Sequence, residues 1–457
     1  MAIRRMGRAR HGSRAVHRPG REPGPWRVRV GPQSTGSPHR RAGRPAPRRV
    51  RRCVSRAERD RLGDGRSPAR RSCITGQGRG GASGIRLHNP VGVEGRQRGL
   101  GMIEGLDRVL EGSAQPGVVE LRRLLADLLG DPDADGRLIE QETLKSHAWR
   151  VVRLRFAFDA YIRAVVAKRL KPEIGRRTEL LARRWLPAVG LADCGPPLLA
   201  SVAEPSGRSV WHVYDDLGCD ELDAQHIDRA RVIAATELIA RIHTRFAGHA
   251  LLGEIRLHGG DLGVHFYESN VRDAIYALWA CRGNTEQHHV RDRLLKRLCA
   301  LRDDLPYRAR RLSERGGPET LLHGDLWTIN IFVGQATGGL RARLIDWDHA
   351  AVGPVSYDLS TFLLRLPREH RSWVLNAYRQ QLATAGWSLP DDRELNALFE
   401  TAEYARFANR IIWPAIAIAE DEQPWGWEAL SEIDEWFENF EPVLALDHDA
   451  ARNVAPI

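Results

Sequence analysis

Sustained apolar periodicity begins only at residue 102 of this 457-residue sequence. Residues 1–100 hold 26 Arg, no Lys and five acidic residues, together with many Gly, Pro and Ser. A segment of this composition buries too little apolar surface to offset the entropy of ordering its backbone. The sequence therefore predicts that the folded body begins near Met102 and that residues 1–101 are not part of it.

Three interpretations of residues 1–101 are open. The segment is a disordered basic tail that touches RNA or acidic lipid, a transit peptide, or translated GC-rich DNA upstream of a true start at Met102. Its length and its lack of an amphipathic pattern count against a transit peptide. The absence of Lys beside 26 Arg favours the third interpretation.

The positive net charge of +11 comes from this first segment. Residues 1–100 carry a net charge of +21, and the rest of the chain carries −10, from 43 basic and 53 acidic side chains. Proteins that bind nucleic acid present basic faces to the phosphate backbone. We therefore do not expect the folded body to bind nucleic acid.

The six cysteines are scattered and form no CxxC pair, so the sequence suggests neither a zinc site nor a disulfide framework. This usage is typical of a reduced, cytoplasmic setting. No run of about 18 apolar residues occurs, so no membrane span is expected. The sequence makes no prediction of the oligomeric state.

Strand patterns come first along the chain and helical patterns later. Apolar residues alternate with polar ones from Val152 to Phe158, and a second strand is expected from Ile162 to Leu170. Helices are expected at Ile103 to Leu110 and at Val118 to Leu129, and helical spacing dominates from about residue 223. The order predicts an α+β fold with a small β-rich lobe (102–217) and a larger, mostly helical lobe (218–457).

The segment from His323 to Asp348 carries the clearest chemistry. Asp325 follows His323-Gly324, Asn330 comes five residues later, and a predicted hairpin returns to Asp346. Phosphoryl transfer needs a metal on the nucleotide phosphates, and Mg²⁺ prefers oxygen ligands such as those of Asp346 and Asn330. A further carboxylate, that of Asp325, can accept the proton of the attacking hydroxyl.

This motif set resembles the aminoglycoside phosphotransferase and choline kinase superfamily. The resemblance extends to Gly353 and to Asp358-Leu359, and it covers roughly residues 145–415. It implies a bilobal protein-kinase-like fold, ATP and Mg²⁺ as cofactors, and a small-molecule acceptor. His323 is then a brace for the catalytic loop, and Asp358 is a buried acid that ties this loop down. Asp348 is either a second metal contact or a solvated neighbour.

The nucleotide side requires a cation for the phosphates and an apolar slot for adenine. Val166 and Lys168 share one face of the second strand, because side chains alternate along a strand. We expect Glu179, on the next helix, to pair with Lys168; Lys171 is a competing choice for the cation, but it lies beyond the strand. The resemblance makes the segment around Tyr214 the linker that contacts adenine. No Gly-rich phosphate loop is found, and Ser146 occupies its place.

The acceptor is less constrained by the sequence. Between Glu420 and Asp449 there are 11 acidic residues and no Lys or Arg, with aromatic residues interleaved. This suits an amine-bearing acceptor through charge pairing and cation–π contact, but the pattern is more typical of an acidic amphipathic helix whose tryptophans pack on the core. Trp327, inside the catalytic loop, makes that loop similar to those of family members that phosphorylate sugars or sugar adducts. This points to a different acceptor from the amine.

Three functions are compatible with these patterns. The first is an ATP-dependent kinase that phosphorylates a hydroxyl of an amine- or sugar-containing small molecule. The second is a nucleotide-binding pseudokinase that acts as a scaffold without turnover. The third is an RNA-associated protein that acts through residues 1–101. Because the catalytic positions hold competent residue types, the sequence favours the kinase.

Overall fold

The computed structural model describes residues 102–131, 134–144 and 150–445, all of which lie in one structural unit. The strands are β1 (Ile103–Glu104), β2 (Gly136–Thr143), β3 (Val151–Phe158), β4 (Ile162–Leu170), β5 (Leu198–Ala203), β6 (Val210–Asp215), β7 (Thr320–Leu322), β8 (Ile331–Ala336), β9 (Gly339–Leu344) and β10 (Ala351–Gly353). The helices are α1 (Val118–Leu129), α2 (Pro172–Leu180), α3 (Leu186–Ala188), α4 (Arg229–Phe246), α5 (Leu252–Gly259), α6 (Val264–Ala280), α7 (Thr285–Asp303), α8 (Leu305–Arg315), α9 (Ser356–Leu364), α10 (Arg368–Thr384), α11 (Asp392–Asp421) and α12 (Trp425–Asn439).

The first lobe is built on a six-stranded sheet in the order β1-β2-β3-β4-β6-β5. Strand β1 pairs with β2 in parallel, and the other neighbours are antiparallel. Alternation along β4 buries Val165 and Ala167 in a core shared with helix α1, so Val166 and Lys168 face the opposite side of the sheet. This register directs the lysine toward the second lobe.

The second lobe is mostly helical and contains two large apolar clusters. One cluster packs α4, α9 and α10 around the strands that carry the catalytic segment. The other packs α6, α7, α11 and α12 against each other. Two small antiparallel sheets, β7 with β10 and β8 with β9, lie on the first of these clusters. The predicted α+β architecture with a β-rich and a helical lobe is confirmed.

Most predicted elements are present, but one is wrong. Residues 103–110 do not form a helix: Ile103 and Glu104 pair with β2, and a short 3₁₀ turn covers Leu106–Arg108. Gly105 adopts a left-handed conformation (φ 82°) that ends the extended segment. Burial of Ile103 beside the sheet therefore outweighs the local helical pattern.

Among the residues that the structure describes, no helix is both long enough and apolar enough to cross a membrane.

Candidate active site

A cleft of about 840 Å³ lies between the sheet and the helical lobe. Its roof is formed by β2, β3 and β4, and its floor by the 3₁₀ turn that ends at Asn330 and by the segment after β9. The residues that line the cleft include Arg153, Val166, Lys168, Thr178, Tyr214, Asp216, Gly218, Asn330, Asp346 and Asp348. The structure thus brings together residues that are up to 195 positions apart in the sequence.

Lys168 connects the two sides of this cleft. Its Nζ lies 2.6 Å from Asp346 Oδ1 and 2.6 Å from Asp348 Oδ1. Burial alone lowers the pKa of Lys168, but the two carboxylates outweigh it and hold the pKa above its ordinary value. Lys168 is therefore charged at neutral pH. The Asp348 side chain is only 14% exposed and pairs with this lysine, so it is not a solvated neighbour.

The expected ion pair between Lys168 and Glu179 is not formed, which corrects the sequence-based assignment. Glu179 Oε1 lies 3.6 Å from Arg183, one turn further along the chain. Helix α2 instead turns Thr178 into the cleft, beside β6. The alternation along β4 located the lysine, but the rotation of α2 depends on packing that the sequence pattern does not encode.

Asp346 lies at the end of strand β9 in a strained backbone conformation. Its φ of 64° and ψ of 49° are in the left-handed region, which residues other than Gly seldom adopt. The carbonyl of the preceding residue, Ile345, accepts a hydrogen bond from His323 Nε2 at 2.8 Å. Strain of this kind persists only where the surrounding contacts fix it, and it is common at functional sites.

The loop from His323 to Asn330, which the resemblance assigns as the catalytic loop, is shaped by Gly324 and by two side chains. Gly324 has φ 80°, and a Cβ at this position would lie 2.1 Å from the His349 carbonyl oxygen. Asn330 Nδ2 donates to the Asp325 carbonyl at 2.9 Å, which directs the amide oxygen of Asn330 away from that carbonyl. His323 Nδ1 accepts from the Asp325 N–H at 3.3 Å while Nε2 donates, so His323 carries its proton on Nε2.

Asp358 binds the backbone at the start of the same loop. Its two carboxylate oxygens accept the backbone N–H groups of His323 (2.7 Å) and Gly324 (2.9 Å). His243 Nε2 lies 3.4 Å from the carboxylate, and His243 Nδ1 lies 2.8 Å from the Tyr378 hydroxyl. Burial raises the pKa of Asp358, but the hydrogen bonds and charges of His243 and His323 outweigh burial. They hold the pKa of Asp358 below its ordinary value. Asp358 is therefore a buried, ionised anchor.

Tyr214 lies on β6 opposite Val166 and lines the cleft. The hydroxyl lies 3.0 Å from Nδ1 of the fully buried His212, and burial is the main cause that raises the pKa of Tyr214 to about 12. Burial, together with the charge of Lys168, lowers the pKa of His212 to about 4. Tyr214 lies just before the linker between the lobes. Ser146, which the sequence places where a phosphate loop would be, lies outside the described residues.

Several residues of the site were not predicted from the sequence. Arg153 pairs with Asp216 at 3.0 Å and donates to the Gly218 carbonyl at 3.0 Å, so it fixes the linker. Arg177 donates to the Asp348 carbonyl. The alternation that predicted strand β3 also places Arg153 on the cleft face, and this signal could have identified it.

The acidic C-terminal segment forms helix α12, which packs on α11. Trp427 lies in the core, and Trp436 stacks on Phe407 with ring centroids 3.3 Å apart. Asp434 lies 2.6 Å from Arg293. The packing of these aromatics is that of an amphipathic helix, as one of the two sequence-based interpretations expected. An open cleft of about 520 Å³ remains between α12 and the start of α10 and is lined by acidic and basic side chains.

One comparison with known proteins gives a family match. The model of the phosphotransferase enzyme family (APH) matches residues 190–398, a range that includes Asp325, Asn330, Asp346 and Asp358. A search of curated proteins found no match. The family match confirms the resemblance that the motifs predicted.

Three solved structures illustrate what the chain is similar to. A choline kinase from Streptococcus pneumoniae is 13% identical, with 70% of this chain and 99% of that chain covered and a TM-score of 0.42. An ethanolamine kinase from Plasmodium vivax is 10% identical, with 74% and 98% covered and a TM-score of 0.45. An aminoglycoside phosphotransferase from Streptomyces rimosus, solved with ADP and streptomycin, is 18% identical, with 65% and 98% covered and a TM-score of 0.40.

Proposed function

We propose that this protein, a phosphotransferase by its family match, transfers the γ-phosphate of ATP to a hydroxyl of a small amine- or sugar-containing molecule. The observation that carries the proposal is the contact of Lys168 with Asp346 and Asp348 across the cleft. A cation and two carboxylates, buried together beside an adjoining catalytic loop, are the parts that phosphoryl transfer requires. The proposed use of ATP fits the cytoplasmic setting expected from the sequence.

The donor groups in the cleft fit Mg²⁺. Within the described ranges, no group of three or more His, Cys, Asp or Glu side chains could hold a metal ion alone. Mg²⁺ in kinases usually keeps several waters and uses one or two carboxylates together with the nucleotide phosphates. Asp346 and the Asn330 amide oxygen would hold it, and when bound it neutralises charge on the β- and γ-phosphates.

The residues of the chain perform the remaining work. Lys168 would transfer its hydrogen bonds from the two carboxylates to the α- and β-phosphates as the nucleotide enters. The linker from Asp216 to Gly218, held by Arg153, would contact the base, and Val166 would cover it. Asp325 would orient the acceptor hydroxyl in line with the γ-phosphate and take its proton.

An acceptor screen tests this function. ADP release from ATP, and separately from GTP, is measured with Mg²⁺ against a panel of amines, sugars and aminoglycosides. We expect at least one acceptor to give ADP above the background rate, with Lys168→Ala raising the KM for the nucleotide and Glu179→Gln leaving it within about two-fold, because Glu179 pairs with Arg183. Nucleotide binding without turnover on any acceptor would contradict the kinase and favour the scaffold.

A further inference from the structure

Arg365, at the C-terminal end of helix α9, stacks on the catalytic loop. Its guanidinium carbon lies 3.4 Å from the centroid of the Trp327 ring, two residues after Asp325. Asp325 is close enough to raise the pKa of Arg365 electrostatically. Arg365 therefore lies next to the residue that we assign as the base.

The Arg365 side chain is partly buried, and no protein acceptor in the described residues serves its N–H groups. Within residues 102–131, 134–144 and 150–445, no hydrogen bond or ion pair of this guanidinium is formed, and its Nε is buried without a partner. Burial of a charged group without hydrogen bonds is costly, so buried charges are normally paired. A guanidinium has five donors in a planar fork that matches an oxyanion. An oxyanion beside Arg365 would supply the acceptor that its buried Nε lacks.

The surrounding charges strengthen this conclusion. Burial, then the nearby charge of Arg410, lowers the pKa of Arg365 to about 10, so Arg365 is still charged at neutral pH. Arg406 contributes repulsion too, although Arg406 itself pairs with Glu403 and donates to the Tyr357 carbonyl. Glu403 and Asp325 act in the opposite sense and raise the pKa of Arg365, so three arginines and two carboxylates lie in this region. The arginines outnumber the carboxylates, which favours an anion over a cation beside Arg365.

We propose that Arg365 binds an oxyanionic group of the acceptor, a carboxylate or a phosphate, beside Asp325. The aromatic face of Trp327 supports the guanidinium from one side and leaves its edge for two parallel hydrogen bonds. This inference rests on the proposed kinase function and narrows its acceptor to hydroxy acids, amino acids or sugar phosphates. A purely cationic amine would not satisfy Arg365.

Anion binding is measured first, without turnover. The full-length protein is saturated with Mg²⁺ and a non-hydrolysable ATP analogue, which occupies the phosphate site around Lys168. Calorimetric titrations with inorganic phosphate, D-glycerate and neutral glycerol are then compared for the wild type, Arg365→Gln, Arg365→Lys and the control Arg393→Gln. Arg393 is exposed on α11 and lies outside the site.

We expect one of the two anions to bind the wild type and the control equally, and glycerol not to bind. Arg365→Gln should weaken the binding of that anion by at least about ten-fold, because charged hydrogen bonds are lost. Arg365→Lys should weaken its binding less. The phosphate and glycerate titrations distinguish a sugar phosphate from a hydroxy acid. No anion binding to the wild type, or equal binding to Arg365→Gln, would overturn the inference.

Turnover then separates this inference from the function on which it rests. Matched acceptor pairs are glycerol with D-glycerate, D-ribose with D-ribose 5-phosphate, and 2-aminoethanol with L-serine. We expect the anionic member of a pair to have the higher kcat/KM and Arg365→Gln to remove this preference. Turnover that favours neutral or cationic members would refute the role of Arg365 while the kinase stands. Anion binding at Arg365 without turnover of any acceptor would refute the kinase and leave the anion site.

Discussion

Asp358 shows how one buried side chain determines the position of the catalytic loop. Its two oxygens serve two consecutive backbone N–H groups, and His243 approaches from the other side. An asparagine has only one acceptor oxygen, so its amide nitrogen would face a backbone donor. The loop that carries Asp325 thus depends on a charged side chain that does not line the cleft.

Asp358→Asn should lower the free energy of unfolding by about 2–3 kcal/mol at pH 7, because a buried donor loses its acceptor. Urea unfolding measures this, with Asp228→Asn as the control, since Asp228 is an exposed helix cap that Asn replaces well. The pKa of Asp358 is depressed, so its stabilisation is complete above its ordinary value of 3.8 and is lost as the pH falls through the lower folded-state value. The difference in unfolding free energy between the wild type and Asp358→Asn should therefore be smaller at pH 3 than at pH 7. An equal gap at pH 7 and pH 3 would contradict this role.

His212 predicts a second pH effect in a different range. Its folded-state pKa is about 4, below the ordinary 6.5, so between these values the unfolded chain binds more protons. Stability should fall as the pH drops from 6.5 to 4, by about 3 kcal/mol in total from this group. Urea unfolding at several pH values should show that His212→Gln loses less unfolding free energy than the wild type between pH 6.5 and pH 4. A variant with the same pH slope as the wild type would show that His212 is protonated in the folded state.

The site residues divide by whether their signal is local in the sequence. Asp325, Asn330 and Asp346 lie within one short segment, and strand alternation alone places Lys168 on the cleft face. His243 contacts Asp358 from 115 positions away, and Arg365 reaches Trp327 from a different helix, so neither pair has a sequence pattern. Glu179 was assigned to the wrong partner because helix rotation is set by tertiary packing.

At the scale of elements, regular segments with clear terminators are predicted well. Strand β4 and helix α1 have the predicted bounds, because Pro172 ends the first and Gly130 follows the second. The strand at Ile103 was missed, since two paired residues make no periodic pattern. Strand β7 pairs with β10, a non-local neighbour, rather than with the β8–β9 hairpin.

The tight turn between β7 and the catalytic 3₁₀ segment requires glycine at position 324. Gly324→Ala should cost more than about 2 kcal/mol in stability, since the added Cβ meets the His349 carbonyl and φ is positive. Gly386→Ala is the matched control, because Gly386 has a similar φ of 78° but no atom within 4 Å of an added Cβ. It should cost only about 1 kcal/mol. Equal losses in urea unfolding would mean that the turn relaxes around a side chain.

For the whole molecule, the proposed function depends on bringing a lysine of the sheet to the aspartates of the helical lobe. Lys168 and Asp346 are separated by 178 residues yet lie 2.6 Å apart. The first hundred residues account for the positive net charge, and the rest of the chain is acidic. Within this acidic body, Arg365, Arg406 and Arg410 form a local excess of basic side chains over the carboxylates of Glu403 and Asp325.

Acceptor-dependent ADP release by the wild type and by Asp325→Ala, at saturating Mg²⁺ and ATP, tests the proposed kinase most directly. Loss of the general base should lower kcat by about 10²–10⁴-fold, because proton transfer from the hydroxyl loses its positioned acceptor. The KM for ATP should stay within about two-fold, since Asp325 would contact the hydroxyl and not the nucleotide. If Asp325→Ala retained the full kcat, the proposed mechanism would be contradicted.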